Sequence, residues 1–363
     1  MVLAGKNILL ISPEPWDHIF VSKHHYAVHL GAKGNNVYFL NPPSNRTSVS
    51  STDFDNVKSV NYRGFPKGMR FFPKYFCQYF IRQRFDQLQK KCKTNFEIVW
   101  SFDNSIFFDF SALPKSILKI SHVVDLNQNF QFKRACQTAN FNLTNTRFVL
   151  NMQLAMNRSS FFINHGFALY DKERNDSNFE ISDTKIKIGY AGNLDSFYLN
   201  WNLLEQIITN HGSDCQFYFM GSLKNKKRLE WLNTQPGITY LGALSSKDVH
   251  QLYKQMDILL ICYQADRFPE QLANPHKMME YLGSGKVVVA TRTSEYKDLA
   301  EQRLIEMSNA DSDFPVLFQR VVESINEWNS EEKRIKRIDF AFDNQYPKQI
   351  ERIEKIIAQE FEF

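Results

Sequence analysis

At 363 residues the chain is too long for a typical single core, and length alone predicts about two domains. The 43% hydrophobic and 23% charged residues are those of a folded soluble protein, the net charge of +5 is mild, and the 32 phenylalanines raise the chance of an exposed apolar patch. Cys77, Cys92, Cys136, Cys215 and Cys262 are odd in number, scattered and never in a CxxC pair, which argues against a disulfide framework or a zinc site and fits a reducing compartment.

The chain opens almost directly on a strand-like run, with no signal-peptide pattern before it. Residues 7–12 suit a buried parallel strand. A loop over 13–20 is rich in Pro, Trp, Asp and His. Ser22 is placed to cap a helix that runs to about Lys33, with Gly34 as its stop. Residues 36–40 form the next strand, ended by Asn41-Pro42-Pro43, and further strands are expected at 98–102, 118–124, 141–144 and 160–164. This is the alternation of a doubly wound sheet. Residues 63–84, RGFPKGMRFFPKYFCQYFIRQR, interrupt it with basic and aromatic residues and no acid. The segment reads as a core helix with a solvated basic edge, or as a patch for a membrane surface or an acidic acceptor. Single-stranded nucleic acid would also suit basic and aromatic residues, but no nucleic-acid module motif accompanies them, and no nucleic-acid partner is expected.

Residues 169–184 are polar without apolar periodicity and read as a linker between an N-terminal domain, 1–168, and a C-terminal domain, 185–345. The second series runs as strand 186–191, helix 200–210, strand 216–220, helix 224–232, strand 239–241, helix 245–255, strand 258–262, helix 275–282 and strand 287–291, with Ser245 and Asp248 spaced as a capping box. Residues 311–363 are mostly helical, with a break near Tyr346-Pro347. No run of about 18 apolar residues is present to span a bilayer.

The segment 274–291 carries the chemistry. Asn274 suits an N-cap and Pro275 a first helical position. His276 and Lys277 then fall in the first turn, where the helix dipole disfavours cations unless an anion binds there. Lys277 and backbone N–H groups suit a diphosphate, and Glu280, one turn deeper, suits a ribose diol as a double acceptor. The alternative is that Lys277 and Glu280 simply pair with each other on a surface helix. No HExxH, P-loop or convincing carboxylate pair suggests a tight catalytic metal, so none is expected.

Read as Asn-Pro-x-Lys-x-x-Glu-Tyr-Leu-x-x-Gly-Lys-x-Val-Val-x-Thr, this segment resembles the donor-site signature of GT-B glycosyltransferases of the large retaining family 4 and its relatives. The resemblance implies an α/β fold of two Rossmann-like domains facing across a cleft, with a C-terminal helix, 346–363, crossing back to the N-terminal domain. It also implies that Lys277 binds the diphosphate and Glu280 the nucleotide ribose, with Asn274 and Pro275 opening the helix. Gly192, Asn193 and Leu194, in GYAGNL, resemble the glycine loop that approaches the donor phosphates. Gly221, in FMGS, and Ala243 and Leu244, in YLGAL, resemble the strand ends that line the base pocket. On the N-terminal side, Ser22-Lys23-His24-His25 and Ile163-Asn164-His165-Gly166 are similar to parts of the acceptor domain.

The chain departs from that pattern in three places. The first of two glutamates separated by seven residues is replaced by Leu272, with Asp266 and Glu270 nearby but out of register. A basic pair after the glycine loop is replaced by Asp195-Ser196-Phe197-Tyr198, and the N-terminal catalytic histidine is not evident, Asp103-Asn104 following the strand instead. A retaining reaction needs no strong base, whereas an inverting one needs a carboxylate or histidine close to the acceptor. Asp17, His18, Asp103 and Asp125 are the candidates, while His24, His25 and His122 suit packing or capping equally well.

The expected function is transfer of a hexose-type sugar from a nucleoside-diphosphate sugar to a glycan or lipid-linked acceptor in bacterial surface polysaccharide synthesis, with no cofactor beyond the donor. A nucleotide-sugar epimerase and a non-catalytic relative are the alternatives. The protein is expected in the cytoplasm, with a peripheral place on the inner face of the membrane through 63–84.

Overall fold

A computed structural model of the protein describes residues 3–124, 131–168, 181 and 184–360. Asp125 and nearly all of the expected linker lie outside the described residues. The chain divides into two compact units, 1–166 with 346–363, and 167–345. Each is built on its own mostly parallel sheet, the two-sheet α/β fold that the sequence predicts.

The first unit runs β1 (Asn7–Ile11), α1 (Ser22–Ala32), β2 (Asn36–Leu40), β3 (Ser48–Ser51), β4 (Val57–Asn61), α2 (Lys74–Cys92), β5 (Ile98–Ser101), β6 (Leu118–Val123), α3 (Phe132–Thr138), β7 (Phe141–Thr144), α4 (Arg147–Leu154) and β8 (Ser160–Phe162). Its sheet has the order β3-β4-β2-β1-β5-β6-β7-β8, and only β3 runs antiparallel to its neighbour. The chain moves outward from β1 in one direction and restarts at β5 in the other, so the order reverses between β1 and β5. Strands β3 and β4 are additions to the predicted set. Their sequences, SVSS and VKSVN, are too polar to show an apolar run. Ser22 does not cap α1. Val21 occupies that position, and its N–H donates to Nδ1 of His24.

The second unit runs β9 (Ile186–Ala191), α5 (Trp201–His211), β10 (Cys215–Met220), α6 (Lys226–Thr234), β11 (Ile238–Gly242), α7 (Ser246–Gln255), β12 (Ile258–Ile261), α8 (Lys277–Gly283), β13 (Val287–Ala290), α9 (Lys297–Glu301), β14 (Glu306–Met307), α10 (Phe314–Glu323), α11 (Ile325–Trp328) and α12 (Glu331–Asp343). Its sheet order is β11-β10-β9-β12-β13-β14, with the reversal between β9 and β12. Successive strand residues point to opposite faces, yet both faces are buried. Phe217, Phe219, Val287 and Val289 pack with Trp201, Ile207 and Phe318 on one side. Tyr218, Met220, Val288 and Ala290 pack with Met278 and Tyr281 on the other. Burial on both faces is why these strands read as unbroken apolar runs. Ser245 caps α7 as predicted: its hydroxyl accepts from the Asp248 N–H and donates to the Asp248 carboxylate.

The final helix, α13 (Tyr346–Glu360), belongs to the first unit. Tyr346 stacks on His25 of α1, and Glu354 accepts from Lys33 and from the Leu3 N–H. Gly166 leaves room for that tyrosine, since a Cβ there would lie 2.3 Å from the Tyr346 ring.

The second unit also buries a cation that contacts no carboxylate among the described residues. Arg337 of α12 is fully buried and donates to the carbonyls of Leu304, Gly285 and Trp328. Three acceptors from three segments converge on one planar guanidinium. Replacing Arg337 with Met strands all three carbonyls, and we expect the second unit to lose about 3 kcal/mol or more in urea unfolding.

Candidate functional site

In open α/β sheets ligands bind outside the carboxyl ends of the strands, where the strand order reverses. In the second unit that place is the end of β9 and β12, and Lys277, from the segment 274–291, reaches the end of β9. After β9 the backbone turns at Gly192, φ +148°, and after β10 at Gly221, φ +141°. Both conformations favour glycine. The space is equally restrictive, because a Cβ at Gly221 would lie 1.8 Å from the Gly192 carbonyl oxygen. The strand ends are laced together: the Gly192 N–H donates to Met220 O, the Leu194 N–H to Ser222 O, and the Gly221 N–H to Gly242 O. Tyr240 ties the same edge by donating its hydroxyl to Gly221 O at 3.0 Å. Ala243 is exposed beyond β11 and Leu244 half-buried.

Lys277, the first residue of α8, reaches back to this edge. Its ammonium donates to the Ala191 carbonyl and lies 4.3 Å from the centre of the Tyr190 ring and 5.3 Å from that of Tyr263. Two aromatic faces and a carbonyl stabilise the cation electrostatically. A Cβ at Gly192 would lie 2.5 Å from this nitrogen. No ion pair joins Lys277 to Glu280 among the described residues, so the simple surface-pair alternative does not describe this site.

Glu280 lies one turn along α8, with a side chain one-fifth exposed and His276 Nδ1 3.7 Å from its carboxylate. Burial pushes its carboxyl up from 4.5 to about 7, against the pull of Lys277 and of a hydrogen bond from the Tyr253 hydroxyl, which both favour the charged form. Tyr281 fixes the helix to the sheet by accepting from the Ala191 N–H at 3.1 Å.

Asn274 departs from its expected place. His276 precedes α8 as its cap, and the Asn274 side-chain oxygen accepts from the Tyr296 hydroxyl at 2.5 Å. Pro275 stands just outside the helix, its carbonyl accepting from the Met278 N–H. The helix therefore starts two residues later than its sequence suggests. Leu272 is buried, Glu270 is exposed, and Asp266 accepts from the Asp311 N–H. Asp195 instead caps the turn before α6, accepting from the N–H groups of Lys224 and Asn225.

The other candidates lie in the first unit. Asp17 and His18 are exposed on the loop after β1, and His18 Nδ1 is 2.9 Å from the Ile19 carbonyl. Asp103 is buried after β5, accepts from the Ser105 N–H at 2.7 Å, and has its carboxyl raised by burial. Sequence reading missed the pair beside it. Lys23, 3% exposed on α1, contacts Glu14 at 2.8 Å, and both charges act on Asp103. The three come from the loop after β1, the start of α1 and the loop after β5, around the reversal point of this sheet. No local motif could reveal that meeting. The histidines pack or cap: His24 stacks against Phe20 and Phe39 and accepts the Val21 N–H, His25 stacks on Tyr346, and His122 receives the Trp100 indole N–H, its pKa lowered to about 3 by burial.

Residues 185–314 match the family described as glycosyl transferases group 1. No curated protein sequence matches. Among solved structures, sucrose-phosphate synthase from Thermosynechococcus elongatus is similar with a TM-score of 0.71 at 11% identity, covering 98% of each chain. HepE from Anabaena, in complex with UDP-glucose, is similar at 0.66 and 11%, covering 98% of this chain and 100% of that one. The lipopolysaccharide outer core galactosyltransferase WaaB is similar at 0.65 and 14%, with the same coverage. At these identities the likeness shows the fold, which is GT-B.

Two outcomes follow from this geometry. Gly221→Ala forces Cβ into the Gly192 carbonyl, and we expect a loss of more than about 2 kcal/mol in chemical unfolding. The folded state holds the Glu280 proton more tightly than the unfolded state does, so this group's contribution is fully present below pH 4.5 and is lost as pH rises through about 7. Glu280→Gln should therefore raise Tm relative to the parent at pH 8 and leave it nearly unchanged at pH 4, measured by thermal unfolding at both.

Proposed function

We propose that the protein transfers a sugar from a nucleoside-diphosphate sugar to a hydroxyl of a glycan or lipid-linked acceptor, in bacterial surface polysaccharide synthesis. The observation that carries this reading is the placement of Lys277 and Glu280 on one turn of α8 above the β9–β12 reversal point, beside a glycine edge no Cβ could enter. The match of 185–314 to a glycosyltransferase family covers these residues. The UDP-glucose complex of the similar HepE structure agrees with a nucleotide-sugar donor, and the name of WaaB agrees with a surface glycan product.

In this reading the ammonium of Lys277 leaves the Ala191 carbonyl for the donor diphosphate. Glu280 accepts hydrogen bonds from the ribose hydroxyls, while Gly192, Asn193 and Leu194 let the backbone approach the phosphates. Gly221, Ala243 and Leu244 border the base, and Asn274, held by Tyr296, and Pro275 lie just before the helix. The bond between the anomeric carbon and the diphosphate oxygen breaks with its electron pair on the oxygen, and Lys277 stabilises the charge that develops there. The acceptor oxygen bonds to the anomeric carbon. Its proton passes to a donor phosphate oxygen if configuration is retained, or to a base if it is inverted. Asp17, His18 and Asp103 are the proposed acceptor-side groups, and no cofactor besides the donor is needed. The protein is proposed to act in the cytoplasm, its acceptor met at an anionic membrane surface near 63–84.

The buried Leu272 favours a second reading, a non-catalytic nucleotide-sugar binder, because a sugar-holding carboxylate is missing there. Turnover with donor and acceptor separates the two readings, and product analysis with donor alone reveals an epimerase.

A thermal-shift screen over nucleotide sugars tests the proposal, since a ligand that binds only the folded state raises Tm. We expect at least one to stabilise the parent. Lys277→Met and Glu280→Ala should each weaken its binding about tenfold to a hundredfold, the cost of a lost charge-assisted hydrogen bond. Affinity should also fall as pH drops below about 7, where Glu280 protonates and can no longer accept fully from a diol. A chain that binds no nucleotide sugar, or variants that bind as the parent does, would sink the assignment.

A further inference from the structure

Residues 63–84 present an arrangement that the donor site does not use. From Arg70 to Phe76 seven consecutive residues are exposed. Phe71 is 77% exposed, Tyr75 74%, Tyr79 53% and Phe76 51%. At about 100° per residue, Tyr75, Phe76 and Tyr79 lie on the side of α2 opposite Cys77, Ile81, Phe85, Leu88 and Cys92, which face the core. The helix is therefore apolar on its inner face along its length and aromatic on its outer face over its first two turns. Phe71 stands exposed in the short turn that precedes the helix.

The charges within this segment are of one sign. Arg63, Lys67, Arg70, Lys74, Arg82 and Arg84 fall within the segment, and its first acid comes only after it, at Asp86. Asp86 is held by Arg82 at 3.1 Å. Arg63, Lys67 and Lys74 are exposed and make no ion pair among the described residues. Rings this exposed protrude from the surface rather than line a groove, which suits insertion into a soft layer better than reception of a partner's side chain. Phenylalanine and tyrosine at the headgroup level, with lysine and arginine around them, match the chemistry of an anionic bilayer surface.

We propose that Phe71, Tyr75, Phe76 and Tyr79 insert among the headgroups of an anionic phospholipid bilayer, with Arg63, Lys67 and Lys74 bound to the lipid phosphates, so that α2 lies on the membrane by its outer face. The contact says where a lipid-linked acceptor would be met, and it rests on the sugar-transfer reading only in that respect. The helix itself stays at the surface, since no helix among the described residues is long and apolar enough to cross a membrane.

The test is co-sedimentation of the full chain, without donor, with vesicles of phosphatidylcholine alone or mixed with phosphatidylglycerol. We expect binding to the mixed vesicles at low salt and much less to the neutral ones. The variant F71S/Y75S/F76S/Y79S should lose at least about tenfold in partitioning. Lys67→Glu with Lys74→Glu should weaken it at least about fivefold per site at low salt, with a smaller loss at high salt. All these side chains are exposed, so thermal unfolding of both variants should match the parent. A parent that ignores anionic vesicles at low salt overturns the proposal, as does an aromatic variant that binds undiminished. Light scattering decides the remaining case: a parent dimer that the aromatic variant dissociates makes the patch an interface between copies and also overturns it. None of these readouts involves sugar transfer, so a failed docking test leaves the donor-site reading intact, and a failed nucleotide screen leaves the docking result intact.

Discussion

The carbonyl oxygen of Gly192 stands where any side chain at position 221 would have to begin, and the candidate donor site depends on that contact. Because two loops meet backbone to backbone, the ends of β9, β10 and β11 are tied by hydrogen bonds rather than separated by side chains. That brings a bare peptide edge level with the start of α8. Lys277 can then cross the edge to the Ala191 carbonyl, and Tyr190 and Tyr263 hold it from two sides. A larger residue at 192 would occupy the ammonium's place directly.

The protein holds its cations in contrasting ways. Arg337 has three carbonyls and no exposure, so nothing invites it to exchange partners. Arg134 is fixed to the fully buried Asp109. Lys277 has one carbonyl, two ring faces and partial exposure, which are weaker partners than a diphosphate would be. Glu280 complements it: a carboxyl whose pKa burial raises to about 7 is costly to leave charged, and hydroxyl donors from a ligand would relieve that cost.

Most of the framework was legible because its signals are local. Strands such as Ile186–Ala191, Cys215–Met220 and Val287–Ala290 are short apolar runs buried on both faces, and such runs announce themselves without any knowledge of their neighbours. Ser245 capped its helix as read, because both partners lie within one turn. The failures have physical reasons. Strand β3, SVSS, is held by its antiparallel pairing to β4 and has little apolar content of its own. Asn274 looks like a cap, but Tyr296, distant in sequence, donates to its oxygen. Ser22 gave way to Val21 because the side chain of His24 supplied the acceptor instead.

The sequence by itself determined the alternation of strands and helices, the α/β class, the glycine positions, the spacing of Lys277 and Glu280, and the acid-free character of 63–84. Each of these is a property of residues close together in the chain. Only the tertiary structure decided which charges meet: that Lys277 turns to Ala191 rather than pairing with Glu280, that burial raises the Glu280 carboxyl, and that Glu14 and Lys23 stand beside Asp103. It also decided that the aromatic rings of 71–79 face outward while the same helix buries Ile81 and Phe85. Periodicity and propensity act over one turn or one strand, whereas desolvation and charge pairing depend on segments that only the folded sheets bring together.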